Sequence, residues 1–165
     1  MQEALFGKNE KKSKVGKAQH AFEMAVVRLM NLLGIPLVWY GQGALPQRSD
    51  AAGLVDKNQK PVVVLAECTL EKPEAKFSAL KERAQELAES LGGEADVLPA
   101  VFTQADPPAA VSDTACDHGV ALIGRNELST LFEMLSATTR EEDALSFLSR
   151  MSSRVGGLYR RLDGT

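Results

Sequence analysis

The stretch PVVVLAECT, residues 61–69, constrains the fold of this chain more than any other. From Val62 to Ala66 it is apolar at every position, without the alternation of a strand that has one wet face. A strand apolar on both sides must be covered on both sides, as a central strand is in a sheet with helices above and below it. Ahead of it, Lys57-Asn58-Gln59-Lys60 predicts a polar turn and Ser49 to Asp56 a short extended segment, which together make a hairpin.

The flanking pattern extends this picture. From Lys17 the apolar positions Phe22, Val26, Leu29 and Leu33 recur at helical spacing, and Gly34 with Pro36 stops that helix. Ile35 to Tyr40 reads as a strand ended by Gly41 and Gly43. Beyond the central strand, Pro73 suits the first turn of a long helix with a stripe of Phe77, Leu80, Ala84, Leu87 and Leu91, closed by Gly92-Gly93. A strand over Val97 to Thr103, a short helix over Ala109 to Asp117 and a strand over Val120 to Ile123 follow. Asn126 is the expected N-cap of a helix reaching Leu135, and a last helix is expected from Thr139 to Ser149. The order α–β–β–β–α–β–α–β–α predicts an α/β fold: a mixed central sheet flanked by helices on both faces.

At 165 residues the chain has the length of one domain. It divides into a loose basic arm (1–16), an α/β core (17–136) and a C-terminal helix with a basic tail (137–165). Two cysteines, Cys68 and Cys116, make no disulfide framework and read as reduced thiols. No apolar run approaches a membrane span, and the start lacks the apolar stretch of a signal peptide. The expectation is a cytoplasmic protein with no membrane partner. The net charge of −3 does not favour nucleic-acid binding, but Lys8, Lys11, Lys12, Lys14 and Lys17, and Arg150, Arg154, Arg160 and Arg161, crowd the two ends. Each cluster reads either as a backbone-tracking patch or as solvated terminus.

The candidate chemistry lies in the hairpin. Glu67 follows directly on the apolar run, and a buried carboxylate without a partner is costly. It is therefore expected at the strand end, beside Asp50, which opens the other arm. Two carboxylates there form an oxygen site suited to Mg²⁺ or Mn²⁺, hard cations that bind carboxylate, water and substrate phosphate. Such an ion polarises a scissile phosphate and acidifies an attacking water.

These parts resemble the PD-(D/E)xK, or restriction-endonuclease-like, nuclease superfamily across residues 15 to 135. The resemblance is carried by the helix GKAQHAFEMAVVRLMNLLGI with Glu23, by Ser49-Asp50 where the family has Pro-Asp, and by Glu67-Cys68-Thr69 where it has Glu-x-Lys. The closing HGVALIGRNELSTLFEML belongs to it as well. It implies metal-dependent hydrolysis of nucleic acid, with DNA the expected substrate, Asp50 and Glu67 as metal ligands, and Glu23 as an auxiliary acid. It also implies a homodimer or a larger protein partner.

The departure is Thr69, which stands where the family's lysine contacts phosphate and water. A hydroxyl carries no charge and cannot replace an ammonium. In some branches the lysine comes from the next helix, which makes Lys76 the candidate here. Lys72, Lys81 and Arg83 read as surface charges. His20 and His118 are scattered from the cysteines without zinc spacing. Asp56 reads as a turn residue and the fallback for Asp50, and Gln104 as a loop residue able to orient a substrate. A phosphate-binding P-loop, GxSxG and a readable Cys-His pair are missing. The expected activity is a Mg²⁺- or Mn²⁺-dependent endonuclease using Asp50, Glu67, Lys76 and Glu23. The alternative is a nuclease-like binding or assembly module without catalysis, which Thr69 and the acidic balance favour.

Overall fold

The apolar run forms the middle strand of a sheet. The computed structural model describes residues 1–6, 15–40, 49–56, 60–137 and 143–152. Within them lie α1 (Gln2–Phe6), α2 (Val15–Leu32), β1 (Leu37–Trp39), β2 (Ala51–Val55), β3 (Val62–Thr69) and α3 (Glu74–Ser90). They are followed by β4 (Asp96–Thr103), α4 (Ala109–Asp117), β5 (Ala121–Ile123), α5 (Arg125–Glu133) and α6 (Ala144–Ser152). The five strands lie in the order β1-β2-β3-β4-β5. The first three pair antiparallel and the last three parallel, so the sheet is mixed, with β3 at its centre.

Both faces of β3 are covered, as its composition requires. Val62, Val64, Ala66 and Cys68 join a core with Phe22, Val26, Leu29 and Met30 of α2, Leu128 and Leu131 of α5, and Leu145 and Leu148 of α6. Leu65 on the opposite face packs with Phe77, Leu80 and Ala84 of α3 and Ala115 of α4. Burial of these side chains, each contributing about 1.5–3 kcal/mol, is what sets the register of the strand.

Local signals explain several boundaries. Gly34 ends α2 with a φ of 86°, a left-handed conformation that glycine adopts without strain. Pro99 lies inside β4 opposite Leu65, yet β5 pairs only with Ala100–Phe102. Pro99 therefore sits where β4 has no neighbour on its β5 side, the setting in which a strand tolerates proline.

Four expectations need correction. Residues 2–6 are helical, not a loose arm: Leu5 is fully buried in the α2-side core and Phe6 packs edge-on against Phe132 at 6.2 Å. Gly124, not Asn126, caps α5, because the Glu127 carboxylate accepts the Gly124 amide (3.0 Å) and the Asn126 amide donates to Asp106 Oδ1 (3.0 Å). The last helix runs later than expected, over Ala144–Ser152. Glu67 is not at the strand end; β3 continues to Thr69, and Glu67 is 2% exposed. The turn at 57–59, Lys8 to Lys14, Arg154, Arg160 and Arg161 lie outside the described residues.

Candidate active site

Glu67 is the residue around which the site is organised. Because β3 alternates its faces, Glu67 points to the same side as Leu65, towards α3. There the Lys76 ammonium donates to its Oε2 at 3.0 Å, and the Arg83 guanidinium donates to its Oε1 at 2.5 Å. Arg83 also reaches Ser49 Oγ at 3.4 Å. Lys76 and Arg83 are seven residues apart on α3, two turns along one face, which lets both meet one carboxylate. A charge this deeply buried persists only when paired, and here both of its oxygens are.

Asp50 lies one step beyond the Ala51↔Ala66 pair of the β2–β3 ladder and so faces Glu67 across the hairpin. The Cys68 amide donates to Asp50 Oδ2 at 2.7 Å, and the Tyr40 amide to the Asp50 carbonyl at 2.9 Å, which fixes its backbone to β1 as well. Its second side-chain oxygen takes no partner among the described residues. Burial pushes the Asp50 carboxyl up to about 6, with Glu67 and Glu23 adding to the rise and the Cys68 amide and Lys76 opposing it. Burial is thus the main force against the charged form of Asp50, and the neighbouring acids add to it.

Glu23 approaches from the other face of the sheet. It is 1% exposed, and neutral groups hold both of its oxygens: Gln19 Nε2 donates to Oε1 at 2.9 Å and the Trp39 indole to Oε2 at 3.0 Å. Gln19 also donates to the Cys68 carbonyl (2.9 Å) and accepts from the Leu70 amide (3.2 Å). It therefore ties α2 to the exit of β3. Glu23 is therefore a buried carboxylate and not a surface charge.

Sequence reasoning missed Gln19 and Trp39, and it set Arg83 aside as a surface charge. The seven-residue spacing from Lys76 was the available signal for Arg83; only the fold brings Gln19 and Trp39 to Glu23. Other candidates fall away. Asp56 is exposed beyond the far end of β2, and Gln104 is bound to the Ala4 carbonyl, anchoring α1. His20 lies exposed over Trp39, its ring 4.7 Å away. Burial, with three acids nearby, pushes the Cys68 thiol well above its usual range, so it is a neutral core residue and not a nucleophile. Thr69 accepts the Glu71 amide at 3.1 Å in a local turn. Lys72 is exposed on the wall of a cleft of about 670 Å³ at the C-terminal ends of β3 and β4, which Thr69, Lys76, Thr103 and Pro108 also line.

Among the described residues no three of His, Cys, Asp and Glu gather at one point suited to a metal. The available donors are two carboxylates, Asp50 at the entry to β2 and Glu67 on β3. One has an oxygen without a partner and an elevated proton affinity, and it lies beside an ammonium. This set fits a hard divalent cation that completes its shell with water and phosphate oxygens, and it does not fit a cation needing soft or nitrogen ligands. No helix among the described residues is long and apolar enough to cross a membrane.

No protein-family model matches the sequence, and no curated protein matches it. Among solved structures the chain is similar to the small subunit (R.BspD6I2) of the heterodimeric restriction endonuclease R.BspD6I. The TM-score is 0.58 at 15% identity, covering 92% of this chain and 87% of that one. At that identity the likeness shows the fold alone. The chain has a restriction-endonuclease-like fold, with the mixed sheet and two helical layers that its sequence predicts.

Proposed function

We propose that this chain is a nuclease that hydrolyses phosphodiester bonds in nucleic acid, with DNA as the substrate class, and that it depends on Mg²⁺ or Mn²⁺. One observation carries the reading: Asp50 just ahead of β2, Glu67 on β3 and Lys76 on α3 converge beside an open cleft. Structural packing alone gives no reason to bury Glu67 at the centre of an apolar sheet and then supply two cations to neutralise it.

In this reading Asp50 and Glu67 hold the cation. When bound, it would polarise the scissile phosphate and lower the pKa of an attacking water. Lys76, half-exposed on the cleft wall, contacts the phosphate and orients the water, taking the place of the ammonium that Thr69 lacks. Glu23, held by Gln19 and Trp39, adds negative charge near Asp50 and positions Gln19, which binds the Cys68–Leu70 segment. It acts from behind the site, and both its oxygens already have donors.

The structural neighbour is a subunit of a heterodimeric enzyme, which supports a protein partner for this chain too. The rival reading is a nuclease-like module that binds or assembles without cutting. Thr69 in the lysine position and the occupied oxygens of Glu67 favour it. Incubation with supercoiled plasmid and Mg²⁺ or Mn²⁺ separates them. The nuclease reading expects nicking or linearisation by the wild type and none by Glu67→Ala with an intact fold. Full activity in Glu67→Ala, or wild-type inertness together with no Mn²⁺ binding by calorimetry, overturns it.

A further inference from the structure

The side chains that face Glu67 raise a question that the metal site by itself leaves open. Both carboxylate oxygens are engaged by cations, Lys76 at 3.0 Å and Arg83 at 2.5 Å, while the Glu67 side chain is 3% exposed. A divalent ion arriving at Asp50 and Glu67 meets two positive charges already in position. It must displace at least one of them, or bind against their repulsion. Neither cation is enclosed. The Lys76 side chain is 41% exposed and that of Arg83 25%, so each has water-accessible space into which to turn.

We propose that Lys76 and Arg83 act as a paired gate on Glu67, and that phosphate opens it: metal and nucleic-acid phosphate bind cooperatively because phosphate draws the two cations off the carboxylate. This inference rests on the nuclease reading and adds Arg83 to it as a positioning residue, acting on metal through Glu67. The direction follows from charge alone. Without phosphate, the two cations compete with the metal for the same lone pairs. With a phosphate in the cleft beside Lys76, the ammonium and the guanidinium have a second anion to satisfy, and the oxygens of Glu67 become available. By linkage, whatever factor phosphate adds to metal affinity, metal adds to phosphate affinity. The consequence is a site that stays metal-poor until substrate arrives.

The gate also explains why an acidic site needs two cations instead of one. A lone lysine would leave one Glu67 oxygen bare and buried. Arg83 fills that position and is itself steadied by Ser49, next to Asp50. The second cation thus makes the closed state self-sufficient in the absence of metal.

The test uses the full chain and Mn²⁺ alone, followed by calorimetry, in sulfate as the phosphate surrogate and in chloride of matched ionic strength. The expected result is an Mn²⁺ affinity about five- to tenfold higher in sulfate. Lys76→Met, on a half-exposed side chain, and Arg83→Met are each expected to bind Mn²⁺ more tightly than wild type in chloride and to lose most of the sulfate effect. Thermal melting without metal confirms that each variant is folded, and Lys76→Met carries the test if Arg83→Met does not fold. Equal wild-type affinity in the two salts, or weaker Mn²⁺ binding by the variants in chloride, overturns the gate while leaving the nuclease reading intact. Failure of the wild type to bind Mn²⁺ in either salt overturns both.

Discussion

Asp50 illustrates how a buried carboxyl can act against the stability of its own fold. Its folded pKa of about 6 lies above the ordinary 3.8 because burial and neighbouring acids disfavour the charged form. Between those values the folded chain retains a proton that the unfolded chain releases. Stability therefore falls as pH rises through this window and stays lowered above it. Asp50→Asn removes the charge while its amide oxygen can still accept from the Cys68 amide. The metal-free variant is expected to melt about 2–4 °C above wild type at neutral pH, with the difference vanishing towards pH 4. Mn²⁺ binding should be lost at the same time. Melting curves across pH check the first outcome and calorimetry the second; a variant less stable than wild type at neutral pH contradicts the electrostatic account. This acid was legible in the sequence because it opened a hairpin arm facing another acid. Arg83 was not, because a basic residue on a Glu- and Lys-rich helix has the same composition whether it faces solvent or a carboxylate.

The hairpin depends on a close approach that no side chain reveals. Gly53 pairs with Leu37, and a Cβ at position 53 would press into the Pro36 carbonyl oxygen, a backbone atom that cannot rotate away. A glycine within a strand marks such an approach. Gly53→Ala should push β1 outward, cost more than about 2 kcal/mol in urea denaturation, and loosen Trp39 from Glu23, since Trp39 is three residues from Pro36 along the chain. Trp39 is the single tryptophan of the chain, so its fluorescence reports that displacement directly. An unchanged midpoint and an unchanged emission spectrum would refute the packing argument. At this scale the sequence was most informative where periodicity was long and pure. The α2, α3 and β3 segments were recognisable from their apolar stripes. Glu67 was misplaced by the assumption that burial forbids a carboxylate inside a strand. The ion pairs that permit it come from a helix read as separate.

The two faces of the sheet divide the labour of the molecule, and that division is testable from the N-terminus. One face carries the larger core, built from α1, α2, α5 and α6; the other carries α3 and α4, with Glu67, Lys76 and Arg83 among them. The first residues escaped sequence reading because a five-residue helix shows too little periodicity to stand out from a polar, basic start. What orders α1 is tertiary: Leu5 is completely buried, Gln104 binds the Ala4 carbonyl, and the Arg125 guanidinium donates to the Phe6 carbonyl at 3.1 Å. Leu5→Ala leaves a cavity in the larger core and should cost about 2–4 kcal/mol, read as a lower urea midpoint with an unchanged slope. Because the Glu67 ion pairs sit across the sheet from that cavity, Mn²⁺ affinity in the folded variant should stay at the wild-type level. A loss of metal binding matching the loss of stability would mean that the two faces are coupled through β3, and the site could then no longer be treated as a feature of the hairpin and α3 alone.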